Sequence, residues 1–325
     1  MLGSEQGPAT VSTLKEAEYL LDHGITDILY AVGLAPNKLD HVFNLRKRGA
    51  QLTVILDNAE IAALAAVKAN AEGDPLPVLL EIDSDGHRSG ISPAGPEIVR
   101  IGRILSDGGA QLAGVMTHGG SSYDVPGEAP IIAAAERERL AVVTAAETLR
   151  AAGLPCPIVS AGSTPTAHFA SNLSGITEIH AGVYIFFDLV MAGLGVCHGE
   201  DIAISVLATV IGHQQSRGWT IVDAGWMAVS RDRGTARQPV DQYYGVVCDI
   251  DGRPYPDLVM LQTNQEHGIL AARPGSIHSA PYLPVGTMVR ILPNHACATA
   301  AQHDHYVVVS GSRAIQSVWP RFNGW

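Results

Sequence analysis

Residues 52–83 read LTVILDNAEIAALAAVKANAEGDPLPVLLEID. A β-branched, apolar run from Leu52 to Asp57 gives way to a helical stretch, and a second apolar run follows from Pro77 to Asp83. That alternation is the pattern of parallel strands joined by crossover helices. Asp57 and Glu60 stand at the spacing of a capping box, which marks a helix start. The pattern extends both ways, to strand candidates at Ala9 to Ser12, Asp27 to Val32, Leu112 to His118, Ile158 to Ala161 and Glu178 to Tyr184. Thr13 with Glu16 is a second capping box, and Gly24 and Gly153 sit where helices stop. A βα barrel closes with eight strands, and this count reaches seven.

After about Asp201 helical periodicity nearly vanishes. Strand-like runs follow at Ala203 to Gly212, Trp219 to Asp223, Tyr243 to Ile250, Leu258 to Gln262, Met288 to Leu292 and Tyr306 to Ser310, with a turn signal at Asp251-Gly252. The expected fold is α/β: residues 1–200 form a βα barrel lacking one strand, and residues 201–325 form a mainly antiparallel β domain.

The chain carries 21 basic and 32 acidic side chains in 325 residues, a net charge of −11. Backbone neutralisation of a nucleic acid needs a clustered basic excess, so that class is excluded. With 46% apolar and 16% charged residues the chain can bury a large core. No eighteen apolar residues run together, which removes a membrane span. Residues 1–10 lack a basic cluster followed by an apolar stretch, so they do not read as a signal peptide. Cys156, Cys197, Cys248 and Cys297 lie far apart, with no C-x-x-C pair. The expected compartment is the cytoplasm.

Several loops concentrate chemistry. In Asn294-His295-Ala296-Cys297 an extended backbone would put imidazole and thiolate on one side, able to share a borderline-soft divalent ion. From those letters alone a core cysteine beside a structural histidine is the commoner reading, and His303 and His305 offer the same spacing. Gly162-Ser163-Thr164-Pro165-Thr166 follows a strand and precedes a helix, which suits either a phosphate cradle or a plain N-cap. Asp83-Ser84-Asp85-Gly86-His87-Arg88 also ends a strand. There Arg88 suits an anionic oxygen or an ion pair with Asp83 or Asp85. Thr117-His118-Gly119-Gly120-Ser121-Ser122-Tyr123 is a third strand-end loop, and three on one rim favour a small-molecule site. Glu266 and His267, beside Gly268, are candidates for proton transfer or a solvated turn.

Taken in order, the runs EIDSDGHRSG, THGGSSY, VSAGSTPT, HAGVYIFFDLVM, IVDAGWMAVSRDRGTARQ, NQEHGIL and RILPNHACAT resemble the D-threo-3-hydroxyaspartate dehydratase, D-serine dehydratase and D-threonine aldolase family of alanine-racemase-like enzymes. The resemblance covers about residues 9–325. It implies pyridoxal 5'-phosphate, a divalent ion such as zinc or manganese, and a homodimer acting on a small amino acid. Carried over run by run, Gly162, Ser163 and Thr164 resemble the phosphate cradle with Tyr184 near it, Arg88 resembles the arginine beside the cofactor's phenolic oxygen, and His295 with Cys297 resembles the metal pair.

The activity so implied is a lyase that eliminates water and ammonia from 3-hydroxy-D-amino acids, 3-hydroxyaspartate giving oxaloacetate. The alternatives are an aldolase cleaving the Cα–Cβ bond of the same substrates, or a chain that only binds ligand. In this family the Schiff-base lysine ends the first barrel strand, ahead of the run that here starts at Thr10. The expectation is that this strand and its lysine are absent from the chain. Lys15, Lys38, Lys47 and Lys68 are the four lysines present, and none matches that place.

Overall fold

The computed structural model describes residues 7–125, 127–311 and 313–321. The chain divides into two compact units, one made of residues up to Ser122 and from Ala129 to Ala181, the other of Tyr123–Glu128 and the chain from Gly182 onward.

In the first unit strands and helices alternate: β1 (Ala9–Val11), α1 (Leu14–Asp22), β2 (Asp27–Tyr30), α2 (Leu39–Lys47), β3 (Gln51–Leu56), α3 (Ala59–Glu72), β4 (Pro77–Glu81), α4 (Pro96–Gly108), β5 (Gln111–Thr117), α5 (Glu128–Ala151), β6 (Ile158–Ala161), α6 (Thr164–Phe169) and β7 (Glu178–Ile179). All seven strands pair in parallel in sequence order, with β1 and β7 as the two ends of the sheet. Side chains alternate across a strand. Val54, Leu56, Val78 and Leu80 therefore pack with Ile61, Ile98, Ile101 and Leu149 of the helices, while Leu29, Ile55, Leu79 and Met116 cluster on the opposite face. Burial on both faces is why these strands read as unbroken apolar runs.

The alternation slips once. The β4–β5 register shifts beside Gly114, which has φ +150°, and a Cβ there would come within 2.0 Å of the Ile158 carbonyl oxygen. This bulge needs glycine, and it lets Leu112 and Val115 pack on the helix side while Ala113 and Met116 pack on the other.

Thr13 makes the expected capping box with Glu16. At α3 the cap is Asn58, which accepts from the Ile61 amide, and not Asp57, whose carboxylate accepts from the Gly90 amide at 3.2 Å. The neighbouring amide-bearing side chain takes the cap, and the aspartate joins the strand-end loops. The last strand is also shorter than expected. β6 turns into α6 beyond Ala161, so β7 has no partner past Ile179, and Tyr184 falls in a 3-10 turn, Val183–Ile185, of the second unit.

The second unit holds α7 (Leu189–Gly193), β8 (Val206–Gln214), β9 (Trp219–Val222), α8 (Trp226–Val229), β10 (Val246–Cys248), β11 (Pro254–Thr263), β12 (Gly268–Ala272), β13 (Met288–Leu292), α9 (Ala296–Ala300), β14 (His305–Val309) and β15 (Ile315–Pro320). Six of these strands close an antiparallel barrel in the order β10-β11-β12-β9-β8-β13, and β14 with β15 forms a separate ribbon. Val210, Val222, Val247, Met260, Leu270, Val289 and Ile291 fill the barrel. The Asp251-Gly252 turn joins β10 to β11, with Asp249 accepting from the Asp251 and Arg253 amides. Among the described residues no helix is long and apolar enough to cross a membrane.

Candidate active site

In the first unit the carboxyl ends of β4 to β7 carry the polar groups. Asp83 accepts from the Asp85 and Gly86 amides at 3.1 and 2.7 Å, and Asp85 accepts from Gly120 and Ser121 at 2.8 Å each. These bonds latch the loop after β4 to the loop after β5. Burial alone would raise the Asp85 carboxyl, but the donors from Ser121, His87 and Gly120 bring it below its ordinary value. Because both aspartates are engaged with amides, Arg88 turns instead to Glu81, with Nε 4.0 Å from Oε1, and stays half-exposed. Glu81 is buried, which raises its carboxyl, with Ser89 and Arg88 opposing.

Ser160 of β6 lies in register with Glu178 of β7 and donates to its Oε1 at 2.7 Å. His180, two residues on, meets Ser160 Oγ through Nδ1 at 2.9 Å and stacks on His118 with ring centroids 5.8 Å apart. Both imidazoles are held below the ordinary histidine range, His118 by burial and then by Arg88, His180 down to about 4 by burial and then by His118. His180 Nε2 is buried without a hydrogen-bond partner.

The turn that follows β6 begins at Gly162 with φ +143°, where a Cβ would sit 2.4 Å from the His180 carbonyl oxygen. Ser163 is the N-cap of α6. Its amide donates to Thr166 Oγ1 at 2.9 Å, and its hydroxyl contacts Thr166 and Ser122 at 2.9 and 3.2 Å. Thr166 in turn donates to Glu138 Oε2 at 2.8 Å, and burial pushes the Glu138 carboxyl up to about 7. The capping reading of this turn therefore holds, whatever else the turn binds.

In the second unit His295 and Cys297 meet, but not by strand alternation. His295 is extended (φ −136°, ψ 109°) as the residue before α9, and Cys297 lies in the first helical turn. The N-cap geometry brings the two side chains within hydrogen-bond reach. His295 Nδ1 is fastened to Asp232 Oδ2 at 2.6 Å. That bond and the Cys297 contact push the imidazole up to about 10, and the same bond lowers Asp232.

Asn294 is buried and donates through Nδ2 to the Asp232 carbonyl at 3.2 Å and to the Tyr243 carbonyl, while Oδ1 accepts from Thr235 at 3.0 Å. Asp188 caps α7 through the Met191 amide at 3.0 Å and accepts from the Ala296 amide at 2.9 Å, so one buried carboxylate starts both helices. His303 and His305 do not compete as a pair: His303 Nε2 meets the Ala228 carbonyl, and His305 Nδ1 meets Asp304.

Among the described residues no three or more His, Cys, Asp or Glu side chains gather as a metal cage. Imidazole and thiol are nevertheless a donor set that fits a borderline-soft ion, with Asp232 behind the ring as such sites use it. The first unit fits a phosphorylated pyridine cofactor less completely but on definite grounds. It has a half-exposed arginine and an orphaned buried imidazole nitrogen at the strand ends.

The other sequence candidates are more dispersed. Tyr184 is exposed in its 3-10 turn. Glu266 and His267 are exposed in the turn between β11 and β12, where the Asn264 and Gln265 carbonyls accept from the Trp226 and Met227 amides. The four lysines all lie in helical segments; Lys38 donates to the Tyr30 hydroxyl, and Lys68 pairs with Asp40 and Glu72. A cavity of about 580 Å3 in the second unit, lined by Leu189, Val240, Val246, Pro254 and Leu292 among others, includes neither His295 nor Cys297. Asp232, Asn294, Asp188, Ser160 and His180 were not singled out from the sequence. Only the runs that hold them, RDRG, PNHAC, VSAGSTPT and HAGVYIFFDLVM, marked their neighbourhoods.

Residues 3–190 match the alanine racemase N-terminal domain, and residues 203–309 match a serine dehydratase domain. D-threo-3-hydroxyaspartate dehydratase of Delftia sp. (strain HT23) is 55% identical over 97% of this chain and 84% of its own length. Its solved structure superposes with a TM-score of 0.95, covering 98% of this chain and 85% of that one. The D-serine dehydratase of Dictyostelium discoideum is 31% identical over 94% of this chain and 80% of its own length. D-threonine aldolase from Filomicrobium marinum is 27% identical, with a TM-score of 0.77 over 96% of this chain and 80% of that one. D-threo-3-hydroxyaspartate dehydratase has also been solved as a histidine-to-alanine variant and as a cysteine-to-alanine variant in the metal-free form, both 54% identical to this chain, the two positions standing two residues apart. The chain belongs to the alanine racemase N-terminal domain family, in the branch that holds D-threo-3-hydroxyaspartate dehydratase and D-serine dehydratase. It is a family of enzymes that depend on pyridoxal phosphate, and its dehydratase branch binds a metal.

Proposed function

We propose that this protein is a 3-hydroxyaspartate dehydratase: it converts 3-hydroxy-D-aspartate to oxaloacetate and ammonia by removing the α-proton and the β-hydroxyl, the resulting unsaturated amine then taking up water. The observation that carries this reading is the His295–Cys297 pair with Asp232 Oδ2 2.6 Å from the imidazole. Hydroxide is a poor leaving group, and a metal-ligating pair answers that difficulty. The same histidine-x-cysteine spacing separates the two substituted positions of the solved D-threo-3-hydroxyaspartate dehydratase variants.

When bound, pyridoxal phosphate supplies an electron sink at Cα and a divalent ion supplies a Lewis acid at the β-hydroxyl. The protein's own residues do the rest. Gly162, Ser163 and Thr164 present the turn after β6 to the phosphate. Arg88 would serve the phenolic oxygen, since its half-exposed guanidinium beside Glu81 has donors to spare. His295 Nε2 and Cys297 Sγ hold the ion, Asp232 fixing the tautomer of the ring. Asn294 holds the Asp232 loop, and Asp188 fixes the start of α9. Glu266 and His267, solvent-facing in the hairpin turn, are the candidates for passing protons to water.

The reading includes a homodimer. Exposed Leu207, Ile211, Val285 and Met288 on β8, β13 and the segment before it offer an apolar surface to a second copy. It also includes a cytoplasmic setting, since all four thiols are free and a ligand thiol must stay reduced. The test is product analysis on 3-hydroxy-D-aspartate with pyridoxal phosphate and a divalent metal. Oxaloacetate and ammonia in equal amounts are expected. Glycine and glyoxylate would make the protein an aldolase, and no turnover would reduce it to a ligand-binding chain.

A further inference from the structure

Four buried side chains form one hydrogen-bonded row behind the turn after β6. Glu138 Oε2 is 2.8 Å from Thr166 Oγ1, which is 2.9 Å from Ser163 Oγ, which in turn is 3.2 Å from Ser122 Oγ. The Gly119 backbone lies against Oε1, and its amide donates to the carboxyl group. Oε2 is therefore the oxygen left to carry a proton, and it faces Thr166.

That proton sets the direction of the whole row. A hydroxyl donates one proton, and a carboxylate only accepts. With Glu138 ionised, Thr166 donates to it, Ser163 donates to Thr166 and Ser122 to Ser163, so every hydroxyl proton points toward the carboxylate. With Glu138 protonated, Oε2 donates to Thr166 and each bond reverses. Ser122 is then released as a donor, and a negative charge has left the interior. Both changes favour an anion at the Gly162 to Thr164 turn. The charged groups that face Glu138 are Asp85, from the loop after β4, which raises its carboxyl, and Arg137 of its own helix, which lowers it. From α6 and the loop after β5 it meets the uncharged Thr166 hydroxyl and Gly119 amide. Burial is the largest influence and pushes the carboxyl up to about 7.

We propose that Glu138 is a positioning residue for the phosphate turn: it takes up a proton when a phosphate group binds there, and Thr166 passes the change to Ser163. The coupling is reciprocal, so a bound phosphate strengthens the carboxyl's hold on its proton. This inference rests on the cofactor reading above and goes beyond it in tying cofactor affinity to a carboxyl buried behind the turn.

The probe is pyridoxamine 5'-phosphate, which has no aldehyde to react with lysines, titrated by calorimetry from pH 6 to pH 8. Glu138→Gln cannot titrate and presents a permanent N–H to Thr166, and the probe's own titration is common to both proteins. The protonated, competent form of wild type falls to about one part in ten at pH 8, so its affinity relative to Glu138→Gln should drop about tenfold from pH 6 to pH 8. In buffers of different ionisation enthalpy, wild type at pH 8 should take up about one proton more than Glu138→Gln on binding. Thr166→Ser keeps the hydroxyl and should keep the pH dependence, whereas Thr166→Val should flatten it.

Parallel pH profiles for wild type and Glu138→Gln, with both binding the probe, overturn the inference and leave the cofactor reading standing. A steep profile that survives in Thr166→Val overturns it as well. Failure of wild type to bind the probe at any pH overturns the cofactor reading and this inference with it.

Discussion

Asp232 shows how much one side chain outside the proposed metal pair, His295 and Cys297, decides. Its carboxylate is 2.6 Å from His295 Nδ1, and Asn294 anchors its backbone. A ligand imidazole loses its orientation and basicity when such a partner is removed, which typically costs about 10–100-fold in metal affinity. Asp232→Asn should show a loss of that size in competition with a chelator, with the fold intact by circular dichroism. Cys297→Ala should lower metal content in elemental analysis, and His303→Ala should not; the reverse pattern would move the metal site. Glu138 gives a prediction of another kind. Burial lifts its carboxyl from about 4.5 to about 7, so the folded protein keeps a proton that the unfolded chain releases between those values. Its contribution is complete below pH 4.5 and is lost as pH rises through 7, roughly 3 kcal/mol in all. Glu138→Gln cannot titrate, so the stability difference between variant and wild type should grow in the variant's favour from pH 5 to pH 8 in urea unfolding. A difference flat with pH would mean that the carboxyl is ionised throughout.

At the scale of elements, β5 and α6 carry the sharpest constraints. Any side chain on Gly114 meets the Ile158 carbonyl, so Gly114→Ala must either flatten the bulge or part β5 from β6. The expected cost is about 3 kcal/mol in urea unfolding, and an effect under 0.5 kcal/mol would show that the bulge is not needed. Ser163→Ala removes the α6 cap and should cost about 1 kcal/mol. These elements also mark how far the sequence could be read. Parallel strands buried on both faces announce themselves as apolar runs, so all seven appeared within a few residues of their places, apart from the far end of the last. Tyr184 escaped because an apolar run, VYIFF, looks the same whether or not a neighbouring strand is there to pair with it. The His295–Cys297 pair proposed to hold the metal was legible as letters but not as geometry, since an extended His295 followed by a helical Cys297 cannot be told from a strand in the sequence alone. Asp232 lies 63 residues from His295, and His180 lies 20 residues from the Ser160 hydroxyl it meets. Contacts of that range leave no local pattern.

Across the whole molecule, the proposed function assigns two chemistries to two units: cofactor binding to the parallel sheet and metal binding to the barrel that follows it. A ligand that binds only the folded state stabilises it by mass action, about 2.7 kcal/mol at a hundredfold excess over Kd. Removing metal with a chelator should therefore lower the thermal midpoint of wild type and leave Cys297→Ala nearly unmoved. An equal fall in both would mean that the ion stabilises the fold from elsewhere. The central claim is that this member of the family is a dehydratase that needs the His295–Cys297 ion to expel the β-hydroxyl. The most direct measurement is oxaloacetate and ammonia release from 3-hydroxy-D-aspartate by wild type and Cys297→Ala, each loaded with pyridoxal phosphate, with and without added zinc or manganese. The account predicts equimolar oxaloacetate and ammonia from metal-loaded wild type, and loss of both on chelation or in Cys297→Ala. Undiminished release from the metal-stripped enzyme, or glycine in place of ammonia, would contradict it.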